Sequence, residues 1–357
     1  MPKNVYVHIP FCKQKCKYCS FTSFTNLDRI SSYILALLRE IDTKYNNEEV
    51  ETLYFGGGTP SLLDASSVKS ILTKFKLAKN CEITFEVNPD DVNLSYCKNL
   101  YDIGINRLSI GSQTFNDSTL KLIGRRHNSS QIKKAVDDAK NAGFKNISLD
   151  LIYGLPNSDI KEDLYNLINL EVQHISTYGL KIEEESYWGK VPPSSLPDDD
   201  EQADMYFFIN EYLQERGYKR YEISNFSLLG FESKHNLNYW DNKEYYGFGV
   251  SAHGYIDKMR YSNTNSLDEY IMNPIDCYCK SFLNKAEILQ EEIFLGFRRE
   301  SGINISLINK KFGIDFEKKF EFVLDKYVPR FIIKDNNNYK LTVEGVLLSN
   351  IILADFI

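Results

Sequence analysis

Six short runs rich in β-branched and aromatic residues recur in the first half of the chain: VYVHI (5–9), ETLYFGGG (51–58), EITFEVN (82–88), NRLSIGS (106–112), NISLDLIYG (146–154) and HISTYGL (174–180). Segments with apolar residues at helical spacing lie between them, such as DRISSYILALLREIDTKY and SSQIKKAVDDAKNAGF, the second closed by Gly143 as a C-cap. Alternation of this kind implies a parallel sheet with right-handed crossovers, since parallel neighbours need a long return connection. Periodicity alone leaves open whether the sheet is doubly wound or curled into a barrel. In either case the chemistry collects at the C-terminal ends of the strands. The unusual residues fall there: Cys12, Cys16 and Cys19 after the first run, GGGTPS after the second, Glu86 and Asn88 closing the third, and Gln113 after the fourth.

After residue 180 the pattern changes. A proline- and acid-rich segment, VPPSSLPDDDEQ (191–202), leads into a helix ending at Gly217, followed by YKRYEISNFS and the aromatic stretch SKHNLNYWDNKEYYGFGVSAHGY. From about residue 285 the order is helix, short helix, helix, a hairpin around DNNN (335–338) and a last helix, which is winged-helix-like. The expected division is 1–235, a connecting region 236–284, and a C-terminal α+β domain 285–357. A formal net charge of −7 argues against bulk nucleic-acid binding, which needs an excess of Lys and Arg on some face. The opening lacks the apolar core of a signal peptide and no run approaches a membrane span, so a cytoplasmic protein is expected. Thiols stay reduced there, and an odd count of seven cysteines is no disulfide framework. Cys81 and Cys97 read as small buried apolar residues, and Cys277 and Cys279 as a lone C-x-C in a loop.

The spacing C-x-x-x-C-x-x-C lets Cys12, Cys16 and Cys19 converge on one centre. A structural zinc site would want a fourth protein ligand, and none stands nearby at suitable spacing. A [4Fe–4S] cluster is normally held by four cysteines, so three leave one iron open to a substrate or cofactor. A zinc-binding structural module is the reading of another class.

With an aromatic, Tyr18, before its last cysteine, this motif resembles the signature of the radical SAM superfamily. The resemblance implies a partial (β/α)6 TIM-type barrel, a [4Fe–4S] cluster on the three cysteines, and S-adenosylmethionine (SAM) chelating the open iron. It places Gly57, Gly58 and Thr59 near the methionine amine. It matches Glu86, Gln113, Arg125 and Asp150 to positions used for the ribose, the adenine side and the methionine carboxylate, and it puts Tyr6 and Tyr18 near the cluster. Each has a bland counterpart: Arg125 as a solvated helix-end charge, Asp150 as a buried hydrogen-bonding residue, Tyr6 as core.

The longer stretches YVHIPFCKQKCKYCSF, YFGGGTPS, RLSIGSQTF, LDLIYGLP and YEISNF resemble the branch that contains oxygen-independent coproporphyrinogen III oxidase and the haem chaperones. The oxidase carries a further cysteine where this chain has Phe21, and an extension before the cluster motif. Both departures favour the chaperones. HNLNYW (235–240) matches a chaperone motif, which implies haem contact through His235, with Tyr239 and Trp240 against the macrocycle; His253 is a second candidate for the iron. His8, His127 and His174 read as structural. The resemblance implies haem and haem-accepting respiratory proteins as partners, with room for a homodimer and for peripheral membrane contact. No catalytic side chain is assigned.

Overall fold

The computed structural model describes residues 1–276 and 278–357; Cys277 lies outside the described residues. All six expected runs are strands: β1 (Asn4–Ile9), β2 (Val50–Gly57), β3 (Leu77–Val87), β4 (Arg107–Gln113), β5 (Ile147–Tyr153) and β6 (His174–Gly179). They pair in that order, all parallel. Each is followed by at least one helix, in turn Ile30–Lys44, Ala65–Leu72, Leu94–Asp102, Asp117–Leu122 with Ser129–Ala142, Ile160–Ile168 and Asp199–Glu215. The first body is thus a partial (β/α)6 barrel. Short antiparallel strands β7 (Lys219–Arg220) and β8 (Asn225–Ser227) extend the β6 edge, and β9 (Tyr246–Phe248) runs parallel to β1 at the other edge.

Local chemistry sets these boundaries. The helices start on side chains that accept backbone N–H groups, among them Asp64, Asn93, Asn116 and Asp159, and Asn128 and Asp198 form full capping boxes with Gln131 and Glu201. Gly143 ends helix Ser129–Ala142 at φ 110°, a conformation glycine takes without a Cβ penalty.

The two faces of the sheet differ in chemistry. Val5, Val7, Leu53, Phe55, Phe85, Leu108, Ile110, Leu149 and Ile175 join the helix residues Leu37, Ile71, Leu100, Val136, Leu164 and Ile209 in one apolar core. The alternate positions point the other way and are mostly polar. In register across the strands they form rows Tyr6, Tyr54, Thr84, Arg107; Glu86, Ser109, Ser148, His174; and Gly111, Asp150, Ser176. The period of two thus builds an apolar wall against the helices and a polar lumen. Arg107 is only 1% exposed there, and such a charge is tolerable because Glu86 and Asp150 share its lumen.

The stretch 236–284 packs with the barrel: Tyr246, Phe248, Val250, Leu267 and Tyr270 belong to its core. It also forms an antiparallel sheet of β10 (His253–Ile256), β11 (Met259–Asn263) and β12 (Tyr278–Phe282). A separate core, including Ile293, Phe297, Ile308, Phe316 and Ile352, organises the C-terminal body. There β13 (Ile303–Asn304), β14 (Ile332–Asp335) and β15 (Asn338–Leu341) form a small sheet with the hairpin at the expected place. The bodies meet through Ile223 N–H to Arg298 O (3.1 Å), Glu300 N–H to Tyr221 O (3.0 Å), and the pairs Arg260–Glu291 and Arg299–Asp241. No helix among the described residues is long and apolar enough to cross a membrane.

Candidate cofactor site at the strand ends

The loop after β1 is held at both ends. Cys12 N–H donates to Phe24 O (3.0 Å) and Phe24 N–H to Pro10 O (2.7 Å), while Lys17 N–H donates to Ile123 O (2.9 Å) and Trp188 N–H to Lys17 O (2.9 Å). These bonds turn Cys12, Cys16 and Cys19, all unpaired and partly exposed, onto one cavity of about 470 Å³. Among the described residues no group of three or more His, Cys, Asp or Glu side chains is drawn together tightly enough for a single metal ion.

Of the residues singled out from the sequence, Tyr18, Gly57, Gly58, Thr59, Glu86, Gln113, Arg125 and Asp150 line this cavity beside the thiols. Tyr6 stands behind it, stacked on Tyr54 at 6.1 Å with its hydroxyl 3.0 Å from His8 Nδ1. Sequence reasoning left out Tyr54, Ser109 and Tyr178, and did not give Asn88 a role. The signal was present, because Tyr54 stands two residues before Gly56 and Tyr178 two after Ser176, on the lumen side of their strands.

Close approach explains the glycines. A Cβ at Gly57, which has φ +114°, would stand 2.5 Å from the His8 ring, and one at Gly58 would stand 2.7 Å from Phe11 O. The glycine shelf is thereby pressed against the base of the cysteine loop.

Charge in the cavity is unevenly satisfied. Glu86 accepts from Tyr54 O–H (2.8 Å) and Gly57 N–H (3.2 Å), yet burial pushes its carboxyl up to about 7. Burial likewise raises Asp150, which accepts from Ser109. Arg125 donates through Nη1 to Cys16 Sγ (3.7 Å) and through Nη2 to Asn88 Oδ1 (2.7 Å) and Gly111 O (2.6 Å). Its Nε is buried with no partner among the described residues, an unused cationic donor that suits an anionic ligand group. Three thiols, a side-chain-free shelf and this open donor fit an iron–sulfur cluster with an amino-acid-bearing cofactor beside it.

HNLNYW lies within helix Lys234–Trp240, and its His235 and Tyr239 point inward. His235 is 1% exposed; its Nδ1 lies 2.8 Å from Thr52 Oγ1, its Nε2 lies 2.9 Å from Tyr239 Oη, and burial lowers its pKa to about 3. The sequence assigned His235 and Tyr239 to haem; here they bond to each other inside the barrel, so His235 presents no free nitrogen. Trp240 faces Arg298, 5.6 Å away. His8, His127 and His174 are buried and hydrogen-bonded, whereas His253, at the start of β10, is exposed.

Residues 6–168 match the Radical SAM superfamily and residues 283–348 the HemN C-terminal domain. Over its full length the chain is 37% identical to the heme chaperone HemW of Lactococcus lactis, covering 97% of that protein. It is 34% identical to the heme chaperone HemW of Bacillus subtilis over 99% of both. The solved structure of Escherichia coli coproporphyrinogen III oxidase (HemN), described as a radical SAM enzyme, superposes with a TM-score of 0.87 over 99% of this chain and 90% of that one; at 22% identity this speaks for the fold alone. With end-to-end similarity of this order, the chain belongs to the HemW family of the radical SAM superfamily.

Proposed function

We propose that this chain is a haem chaperone of the cytoplasm: it holds a [4Fe–4S] cluster on Cys12, Cys16 and Cys19, binds SAM in the adjoining cavity, binds haem, and passes it to respiratory acceptor proteins. The observation that carries the reading is the convergence of three free thiols, the Gly57–Gly58 shelf and the unpartnered Arg125 Nε on one cavity, in a chain similar throughout to proteins named heme chaperone. When bound, the cluster and the sulfonium cofactor supply one-electron chemistry at the adenosyl group. In this reading Arg125 Nε would take the methionine carboxylate, and Thr59 and the shelf its amino group. In the same reading Glu86 would serve the ribose hydroxyls and Gln113 and Asp150 the nucleoside, with Tyr18 in the cavity wall beside the thiols and Tyr6 behind it.

For haem, the imidazole on offer is His253, since the other four are buried. Tyr239 and Trp240 then serve the barrel and its junction with the C-terminal body. Anaerobic reconstitution followed by haem titration separates the assignments. His253→Ala is expected to lose the Soret shift of bound haem and His235→Ala to lower thermal stability first. Unchanged binding in His253→Ala removes the assignment. The second reading, oxidative decarboxylation of coproporphyrinogen III, rests on the resemblance of the sequence motifs to the branch that contains the oxidase. Loss of propionates on anaerobic incubation with that substrate would establish it over the chaperone.

A further inference from the structure

The sulfurs of Cys12 and Cys16 are linked by a chain of side-chain hydrogen bonds whose middle member has no role in the reading above. Arg125 Nη1 donates to Cys16 Sγ (3.7 Å) and Nη2 to Asn88 Oδ1 (2.7 Å). Asn88 Nδ2 donates to Thr59 Oγ1 (3.1 Å), and the Thr59 hydroxyl donates to Cys12 Sγ (3.5 Å). Asn88 is fixed from its backbone, where its N–H donates to Ser61 Oγ (3.2 Å), and its amide also reaches Asp91 Oδ2 (3.4 Å).

The direction of the chain follows from which groups can donate. A guanidinium has no acceptor, so the amide oxygen of Asn88 must face Arg125 and its NH₂ must face Thr59. The Thr59 oxygen then accepts from the amide, and its own proton is left to point at sulfur. One amide thereby fixes an N–H donor on one thiol and an O–H donor on another. Hydrogen bonds to cluster sulfurs stabilise the more negative, reduced form and raise the reduction potential.

We propose that Asn88 is a positioning residue that aims the Thr59 and Arg125 donors at the Cys12 and Cys16 sulfurs and so sets the potential of the iron–sulfur cluster they hold. This rests on the three-cysteine cluster of the proposed function. The test compares wild type, Asn88→Ala, Thr59→Val, Thr59→Ser and the Asn88→Ala/Thr59→Val double variant. Each full chain is reconstituted anaerobically, assayed for iron and sulfide, and titrated by EPR-monitored potentiometry without SAM. Asn88→Ala and Thr59→Val are each expected to move the midpoint to more negative values and Thr59→Ser to hold it. The double variant should shift by less than the sum of the two, because both act on one donor. An unmoved midpoint in Asn88→Ala, or strictly additive shifts, overturns the proposal. Should Asn88→Ala not load cluster, Thr59→Val and Thr59→Ser decide, and equal midpoints in those two overturn it. Wild-type protein that takes up no sulfide would instead remove the cluster reading itself.

Discussion

Glu86 and Glu222 are carboxyls that folding pushes towards their neutral forms; burial lifts each from 4.5 to about 7, against the hydrogen bonds they accept. A carboxyl whose folded pKa exceeds its unfolded value takes up a proton on folding within that window. Its stabilising contribution is present at low pH and is lost as pH rises through the folded value. In cofactor-free protein these two carboxyls therefore contribute a fall in stability, read as urea midpoints, between about pH 5 and about pH 8, opposed over the lower part of that range by buried His8, His127 and His235, whose lowered values favour the fold as pH rises. Glu86→Gln should flatten part of the fall; an identical pH profile for variant and wild type would contradict this. At Gly57 the constraint is steric as well as conformational, given φ +114° and the His8 ring behind it. Gly57→Ala should cost about 1–3 kcal/mol, read by chemical denaturation, and should weaken SAM binding. The glycine run and the three cysteines were legible in the sequence because close backbone approach and metal ligation each admit few residue types. Arg125 was assigned to the cofactor only through the family resemblance; its burial could not be read, since it depends on Asn88 and Gly111, which the fold brings in from the end of β3 and from β4.

At the scale of elements, helix Lys234–Trp240 depends on a distant carboxylate. Glu82, on β3, accepts from the Lys234 N–H (3.1 Å) and the His235 N–H (3.0 Å), with Ser233 Oγ 3.5 Å away. It thus satisfies donors at a helix start that would otherwise be buried without partners. Glu82→Ala should cost about 2–3 kcal/mol and change the fluorescence of Trp240, with the barrel strands intact by far-UV circular dichroism. The six parallel strands could be read in advance because each is several residues long and bounded by glycine or a helix-capping side chain. The short strands β7 to β9 could not, since two or three residues show no alternation and their pairing with β6 and β1 is set by tertiary contacts. The orientation of HNLNYW could not be read for a related reason. Histidine and tyrosine four apart on a helix share a face, but whether that face meets a ligand or the barrel was decided by Thr52 and Glu82.

For the whole molecule, two cores are joined by a thin seam of charged pairs and two backbone hydrogen bonds at 221–223 and 298–300. The Arg260–Glu291 pair is bidentate (3.1 and 2.8 Å) and half-buried, so it should contribute more than an exposed pair. Removing Arg260 and Arg299 together should separate one thermal transition into two and expose the segment near residue 283 to protease; a single unshifted transition would contradict the seam. The cofactor site lies at the other end of the barrel, where three thiols line one cavity and, among the described residues, no fourth cysteine joins them. Its most direct measurement is iron and sulfide content with EPR of the reduced, anaerobically reconstituted protein, before and after adding SAM. The expected result is a [4Fe–4S] signal that SAM perturbs and that Cys12→Ala, Cys16→Ala or Cys19→Ala abolishes. A protein without acid-labile sulfide, or a cluster signal indifferent to SAM, would contradict it.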